Sequence, residues 1–341
     1  MLMIGGTICF IMGLDSGGVT HAWDSAYTLC LIIFGIFQIV LFWVYEWRFA
    51  RYPLMPIRLI SSLSNVGAFS AAFVHAFVFV AHTFYLPVYF QVVLDASPLV
   101  SGALTLILVI PLSIMSSGTG FFLKKTSNFR ATIWFGLALL TLGTGLFIDF
   151  DTNRVWWKIV VFQILAGIGV GPLFQSPLIA IQSHLKAHDS AAAASGLNFF
   201  KNLATALSVA IGGILVQNGL ISNEGTLQQT LGDELGTRVA HTTFASLSEV
   251  MKLLPDQAAV DVVKETLTLA LRNTWIFYTA IAGLGLALSF FITEKELSAT
   301  HEEVKTGLAE EERVRLEDKQ ERLQRRMKRE GAEQAVAMQE V

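Results

Sequence analysis

The sequence predicts an all-α membrane bundle, and three observations carry that expectation. Eight apolar segments interrupt the chain, most of them near the roughly 20 residues a helix needs to cross a hydrocarbon core of about 30 Å. Of the 341 residues, 53% are hydrophobic and 15% are charged, against roughly 25% charged in soluble domains. The charge is also segregated. From Glu294 onward there are 10 Lys/Arg and 13 Asp/Glu, so the last 48 residues hold 23 of the 51 charges. The body that remains is too poor in charge to cover a water-facing surface. A formal net charge of −3 speaks against a nucleic-acid partner; the expected surroundings are lipid.

Taken in order, the first apolar segment, Leu2 to Gly13, is too short to span comfortably and reads as a helix that begins late. It lacks the basic start and small-residue cleavage pattern of a signal peptide. A Gly-rich polar link, LDSGGVTHAWDSA, leads to the second segment, about Tyr27 to Trp47. The third covers Val66 to Tyr85, the fourth Leu99 to Leu123, the fifth Ala131 to Ile148 and the sixth Trp156 to Ile181. The seventh is Ala194 to Val216 and the eighth Thr274 to Ile292. Between the last two, AAVDVVKETLTLALRN has helical periodicity and suits an interfacial helix before the final span. The tail beyond 293 mixes both signs at helical spacing, as expected of a solvated helix or a disordered segment.

Loop cations orient the bundle, because Lys and Arg favour the cytoplasmic side of short loops. Arg48, Arg51 and Arg58 follow the second segment, Lys124, Lys125 and Arg130 the fourth, and Lys186 and His188 the sixth. These links and the tail share one face if the segments alternate, which puts the tail in the cytoplasm. The long link from Gly219 to Arg272 then lies outside.

Enzyme signatures are missing. There is no HExxH, no GxSxG and no Walker lysine, so the chain itself does not hydrolyse ATP. GIGVGP at Gly167–Pro172 lies inside a membrane-length run, where small residues serve close helix approach rather than phosphate binding. Pro172 and Pro177 loosen the same segment. Cys9 and Cys30 lack metal spacing and read as packing residues; neither a metal nor a cofactor is implied.

Polar side chains within the spans are costly unless they face partner helices or water. Gln163, Gln175 and Gln182 punctuate the sixth segment; on one continuous helix Gln163 and Gln175 would stand about 120° apart. Gln163 and Gln175 suit either substrate contact or interhelical hydrogen bonding. Asn198, Lys201 and Asn202 flank Phe199 and Phe200 at the entry to the seventh, where snorkelling explains the lysine. His75 and His82 share a face of the third segment; mid-span His75 reads as a neutral hydrogen-bonded histidine or as a proton relay. Phe84, Tyr85, Tyr89, Phe90 and Gln91 read as an outer rim that anchors at the interface or lines a path. No carboxylate is clearly buried; Asp149 and Asp151 sit at an outer end.

Several strings in order resemble fungal major facilitator superfamily drug:proton antiporters of the fourteen-helix branch. They are FYLPVYFQVVLDASPLVSGALTLILVIPLSI, DSGGVTHAWDSA, GLALLTLGTGLF, FQILAGIGVGPLFQSPLIAIQ and NFFKNLATALSVAIGGILVQN, and the likeness covers about Leu14 to Thr293. The resemblance implies the C-terminal six-helix lobe of that fold, preceded by two linker helices of which the first is truncated. Its units are 1–47 (linker helices), 62–293 (lobe, with extracellular loop 219–272) and 294–341 (cytoplasmic tail). Relatives commonly carry Arg where this chain has Lys201, and the six N-terminal helices of the family, with their motifs, are not in this sequence.

The function so implied is proton-coupled efflux of a hydrophobic drug, toxin or secondary metabolite across the plasma membrane. Alternating access needs two lobes, so the resemblance implies a fragment of a full transporter, or a half-transporter that finds its missing N-terminal lobe in trans. The candidate substrate contacts are His75, Phe79, Tyr85, Gln91, Gln163, Phe174, Gln175, Asn198 and Phe199. Two other readings stay open: an uptake permease of the superfamily, for a siderophore or basic amino acid, and a non-transporting scaffold that works through its tail.

Overall fold

A computed structural model describes residues 2–17, 21, 24–48, 62–183, 190–242, 247, 250–251, 254 and 256–293. The cations expected to orient the bundle at Arg51, Arg58, Lys186 and His188, and the whole tail 294–341, lie outside the described residues. Among those described there is no β-strand, only one bridge between Gly17 and His21.

Helices α1 (Leu2–Ser16) and α2 (Ala26–Arg48) form a hairpin. Their approach is set by glycine: a Cβ at Gly35 would stand 2.6 Å from the Phe10 backbone nitrogen. The bundle proper begins with α3 (Leu63–Val88), capped by Ser62, whose hydroxyl accepts the Asn65 amide. Pro87 removes a donor near its end, and the chain continues as one π-helical turn over Tyr89–Val93. Ser97 caps α4 (Pro98–Thr126), which ends at Ser127 in the left-handed region, and Asn128 caps α5 (Phe129–Leu146). Then follow α6 (Trp156–Val170), a 3₁₀ turn at Gly171–Phe174, α7 (Ser176–Gln182) and α8 (Ser190–Ser222). The short helices α9 (Glu224–Leu231) and α10 (Asp233–His241) pack on each other, and α11 (Gln257–Ser289) closes the bundle.

Among the described residues, five helical stretches are long and apolar enough to cross a membrane: 63–93, 98–126, 129–149, 156–182 and 190–222. Two ends of the bundle are defined by contacts. At one, the Trp134 indole donates to the Ser289 carbonyl and the Thr293 amide to the Ser64 hydroxyl. At the other, the Tyr89 hydroxyl donates to the Asp151 carbonyl, Arg154 to the Leu94 carbonyl, and Lys264 pairs with Asp95.

Three departures from the sequence expectation have local causes. The sixth segment is not one helix: Gly171, Pro172 and Pro177 break its ladder, so the predicted angle between Gln163 and Gln175 has no meaning across the turn. The eighth is not preceded by a separate interfacial helix. Ala259, Val263, Leu267, Ala270, Leu271 and Thr274 form one buried stripe at helical spacing, and α11 runs unbroken for 33 residues. The aromatic rim is turned inward: Tyr85, Tyr89 and Phe90 are buried, and Phe84 and Gln91 alone of the five are exposed.

The small residues of the sixth segment do serve close approach. A Cβ at Gly167 would lie 2.3 Å from the Leu108 carbonyl of α4, and one at Gly169 2.3 Å from the Leu140 amide of α5. Side chains here hold backbones apart, so glycine is what lets α6 touch both neighbours.

Candidate functional site

Of the nine residues proposed from sequence, the structure brings three into one cluster. The His75 ring meets Phe174 edge-on at 4.7 Å between centroids and lies parallel to Phe79 at 6.0 Å; Phe79 and Phe174 meet edge-on at 5.5 Å. Such geometries suit aromatic quadrupoles. α3 supplies His75 and Phe79 one turn apart, while the 3₁₀ turn between α6 and α7 carries Phe174. His75 is 1% exposed, and neither ring nitrogen has a well-formed hydrogen-bond partner.

From α8, Lys201 reaches into this cluster. Its Nζ donates to the Phe174 carbonyl at 3.2 Å and stands 5.8 Å from the Phe174 ring centre. The carbonyl belongs to the broken stretch between α6 and α7. Proline-bearing turns leave such acceptors for side chains to satisfy. Lys201 is therefore not simply snorkelling outward, as its position in the sequence suggested. Gln175 is exposed, its amide oxygen lying 3.1 Å from where a Cβ on Gly120 would stand. Asn198 is exposed one turn before Lys201, and half-buried Phe199 packs edge-on to Phe200 at 5.8 Å.

The other candidates lie elsewhere. Gln163 is fully buried; its Nε2 donates to the Ile159 carbonyl of its own helix at 2.9 Å and its Oε1 has no partner. Gln91 is exposed and donates to Ser101 Oγ at 3.3 Å. Tyr85 is sealed inside, its hydroxyl donating to the Val209 carbonyl at 2.9 Å. That bond belongs to a junction of α3, α8 and α11. The Tyr278 hydroxyl donates to the Ser208 carbonyl at 2.6 Å, and Ser208 Oγ donates to the Phe77 carbonyl at 2.5 Å. Gly212 makes room for both tyrosines: a Cβ there would lie 2.4 and 2.5 Å from their hydroxyls.

The two histidines differ. His82 has the hydrogen bond expected of His75: Nε2 lies 2.9 Å from Thr144 Oγ1, which itself donates to the Leu140 carbonyl at 2.7 Å. Since the threonine proton is committed, His82 Nε2 must be the donor. Thr144→Val is expected to strand that buried donor and lower stability by ~1–2 kcal/mol, read as an earlier loss of monodisperse protein on heating, whereas Thr144→Ser is expected to be near neutral.

Sequence reasoning missed a polar cavity of about 400 Å³ at the second end, lined by Asp95, Thr152, Asn153, Arg154, Asp261, Lys264 and Glu265 among others. Lys264 is 8% exposed and pairs with Asp95, which sits at φ 54° in the turn after the π-helical segment. Nearby, Lys158 pairs with Asp149 at 2.6 Å. The Asp151 carboxylate is held below its ordinary range, chiefly by the Thr152 amide that donates to it at 2.7 Å. The signal for Lys264 is a lysine within the apolar stripe of α11, which on an interfacial helix would carry no such meaning. Among the described residues no Asp or Glu is buried, as the sequence suggested, and no group of three or more His, Cys, Asp or Glu is placed to hold a metal.

The site is thus an aromatic and amide-bearing face beside a broken helix in a multi-helix apolar bundle. The chain is 41% identical over 306 residues to "Efflux pump dotC" of Dothistroma septosporum, covering 90% of this chain and 52% of that protein. It is 36% identical over 316 residues to "MFS-type transporter ppz2" of Metarhizium majus, covering 93% and 54%. It is 34% identical over 324 residues to an "MFS-type transporter" of Aspergillus terreus, covering 93% and 58%. No protein-family profile matches the chain. Over about nine-tenths of its length the chain is thus similar to fungal proteins of the major facilitator type, and its membrane-length helices fit a multi-pass membrane protein. It spans about half the length of the curated relatives it matches.

Proposed function

We propose that the chain forms one lobe of a proton-coupled exporter of hydrophobic small molecules. The lobe is residues 62–293, with 1–47 as linker helices and 294–341 as a cytoplasmic tail, working in the plasma membrane against a second helical lobe in cis or in trans. The observation that carries this reading is the cluster of His75, Phe79 and Phe174 with Lys201, set at a helix break beside exposed Gln175 and Asn198. Rings offer apolar contact to a flat substrate, exposed amides offer hydrogen bonds, and a broken helix supplies a place to bend. Phe199 extends the contact surface, Gln91 stands apart beyond the end of α3 beside Ser101, Gln163 is buried within α6, and Tyr85 ties α3 to α8. His75 is the candidate proton carrier, as the titratable side chain that lies in the middle of α3 within the aromatic cluster. The name of one relative, efflux pump, supports export as the direction.

The test uses the chain in vesicles, with and without a co-expressed N-terminal lobe from a relative. Cysteine placed at Gln175 or Asn198 is expected to react with a membrane-impermeant maleimide and to be protected by a transported dye. Dye movement is expected to follow an imposed pH gradient, to vanish with a protonophore, and to fall at least tenfold in His75→Phe. Unreactive cysteines at both positions, or flux indifferent to the gradient, would overturn the proposal.

A further inference from the structure

The geometry points to Lys201 as an anion-selecting subsite, so that the preferred substrate is an amphipathic organic anion: a flat apolar body with a carboxylate, phenolate or sulfonate. This deepens the proposed function and rests on that reading of the aromatic cluster as the substrate surface.

Four observations lead there. Lys201 lies well inside α8, eleven residues after Ser190 or roughly 16 Å along the axis. It is turned toward the protein, where its ammonium touches the carbonyl and ring of Phe174. An ammonium has three donors, yet the Phe174 carbonyl is its one hydrogen-bond acceptor, and no carboxylate pairs with it, among the described residues. Last, His75 packs edge-on against the same Phe174, 1% exposed, with both ring nitrogens lacking a well-formed partner. A half-buried cation and a buried imidazole thus share one aromatic neighbour.

A lone cation inside a membrane bundle is costly and calls for a counter-charge. Here the protein supplies a carbonyl dipole and a ring face, which solvate the ammonium without neutralising it. A ligand anion would complete the shell with a charge-assisted hydrogen bond. Phe79 and Phe174 would hold its apolar body, and Asn198, one turn from Lys201 on α8, would reach the polar rim. The same charge works against cationic compounds, which meet repulsion where an anion meets a partner.

Two dyes of one skeleton separate charge from hydrophobicity: 1-anilinonaphthalene-8-sulfonate and its neutral congener N-phenyl-1-naphthylamine. Their binding to the purified chain in nanodiscs is measured by fluorescence against empty nanodiscs. The wild-type chain is expected to favour the sulfonate by about tenfold, near the scale of one charge-assisted contact. Lys201→Met is expected to weaken the sulfonate about tenfold and to leave the neutral dye within twofold; Lys201→Arg is expected to keep the preference. Equal affinity for the two dyes in the wild-type chain overturns the inference, as does an equal loss of both in Lys201→Met. Should Lys201→Met not assemble, the wild-type ratio and the Lys201→Arg variant decide alone. Charge preference without flux in vesicles would sink the transport reading and keep the subsite; flux without charge preference would do the reverse.

Discussion

Gly169→Val is expected to abolish assembly of the bundle, a loss of about 3 kcal/mol or more, because overpacking against backbone has no side chain to yield. The added Cβ would meet the Leu140 amide nitrogen at 2.3 Å and the Leu139 carbonyl carbon at 2.7 Å. Neither atom can move without displacing α5 from α6. Gly167→Val makes the same error toward α4, at 2.3 Å from the Leu108 carbonyl. Gly118→Ala is the control, since nothing lies within 4 Å of its Cβ and alanine is the better helix former. Size-exclusion profiles in detergent should show aggregate for the first two variants and a wild-type peak for the third. A monodisperse Gly169→Val protein of normal heat resistance would show that the packing of α6 on α5 is not what it is described to be.

Trp275→Ala is expected to have the next largest effect, ~3 kcal/mol, the lower part of the range for a large aromatic removed from a core. Trp275 is 1% exposed and packs on Phe147 at 5.2 Å, His82 at 5.9 Å and Tyr85 at 6.5 Å between ring centroids. In a membrane this loss does not come from water. Lipid is as apolar as the core, so what disappears is contact, as dispersion and ring-edge attraction give way to a void. Trp275→Phe should therefore recover most of the loss, although both replacements are apolar. Heating in nanodiscs with tryptophan-independent detection, such as cysteine exposure at a buried reporter, measures the difference. Equal midpoints for the alanine and phenylalanine variants would remove the packing explanation.

Much of the site was legible in outline and little in detail. The spans could be read because membrane helices must be long and apolar, a demand that leaves runs such as Leu99 to Leu123 with no other use. The small-residue purpose of GIGVG was legible for the same reason: inside such a run, glycine has only close approach to offer. His75, Phe79 and Phe174 were legible as polar or aromatic punctuation, but Phe174 not as a neighbour of the other two, since it lies about a hundred residues away on another element. The direction of Lys201 was not legible. Whether a lysine near a helix entry snorkels or turns inward depends on whether another helix offers it an acceptor, and here a turn broken by proline does.

Sequence alone determined the class of solvent this chain is built for, its helical secondary structure and the close contacts its glycines permit. These follow from local rules, since every backbone group in lipid must be bonded within a helix and every span must be apolar. Only the tertiary structure decided which polar groups are satisfied and which are left over. It gave His82 a threonine and His75 none, sealed Gln163 and Tyr85 inside, and joined the N-terminal half of α11 to the turn after α3 through Lys264 and Asp95. Hydrogen bonds and ion pairs act over about 3 Å, and that distance is set by how helices cross, which no stretch of sequence contains by itself.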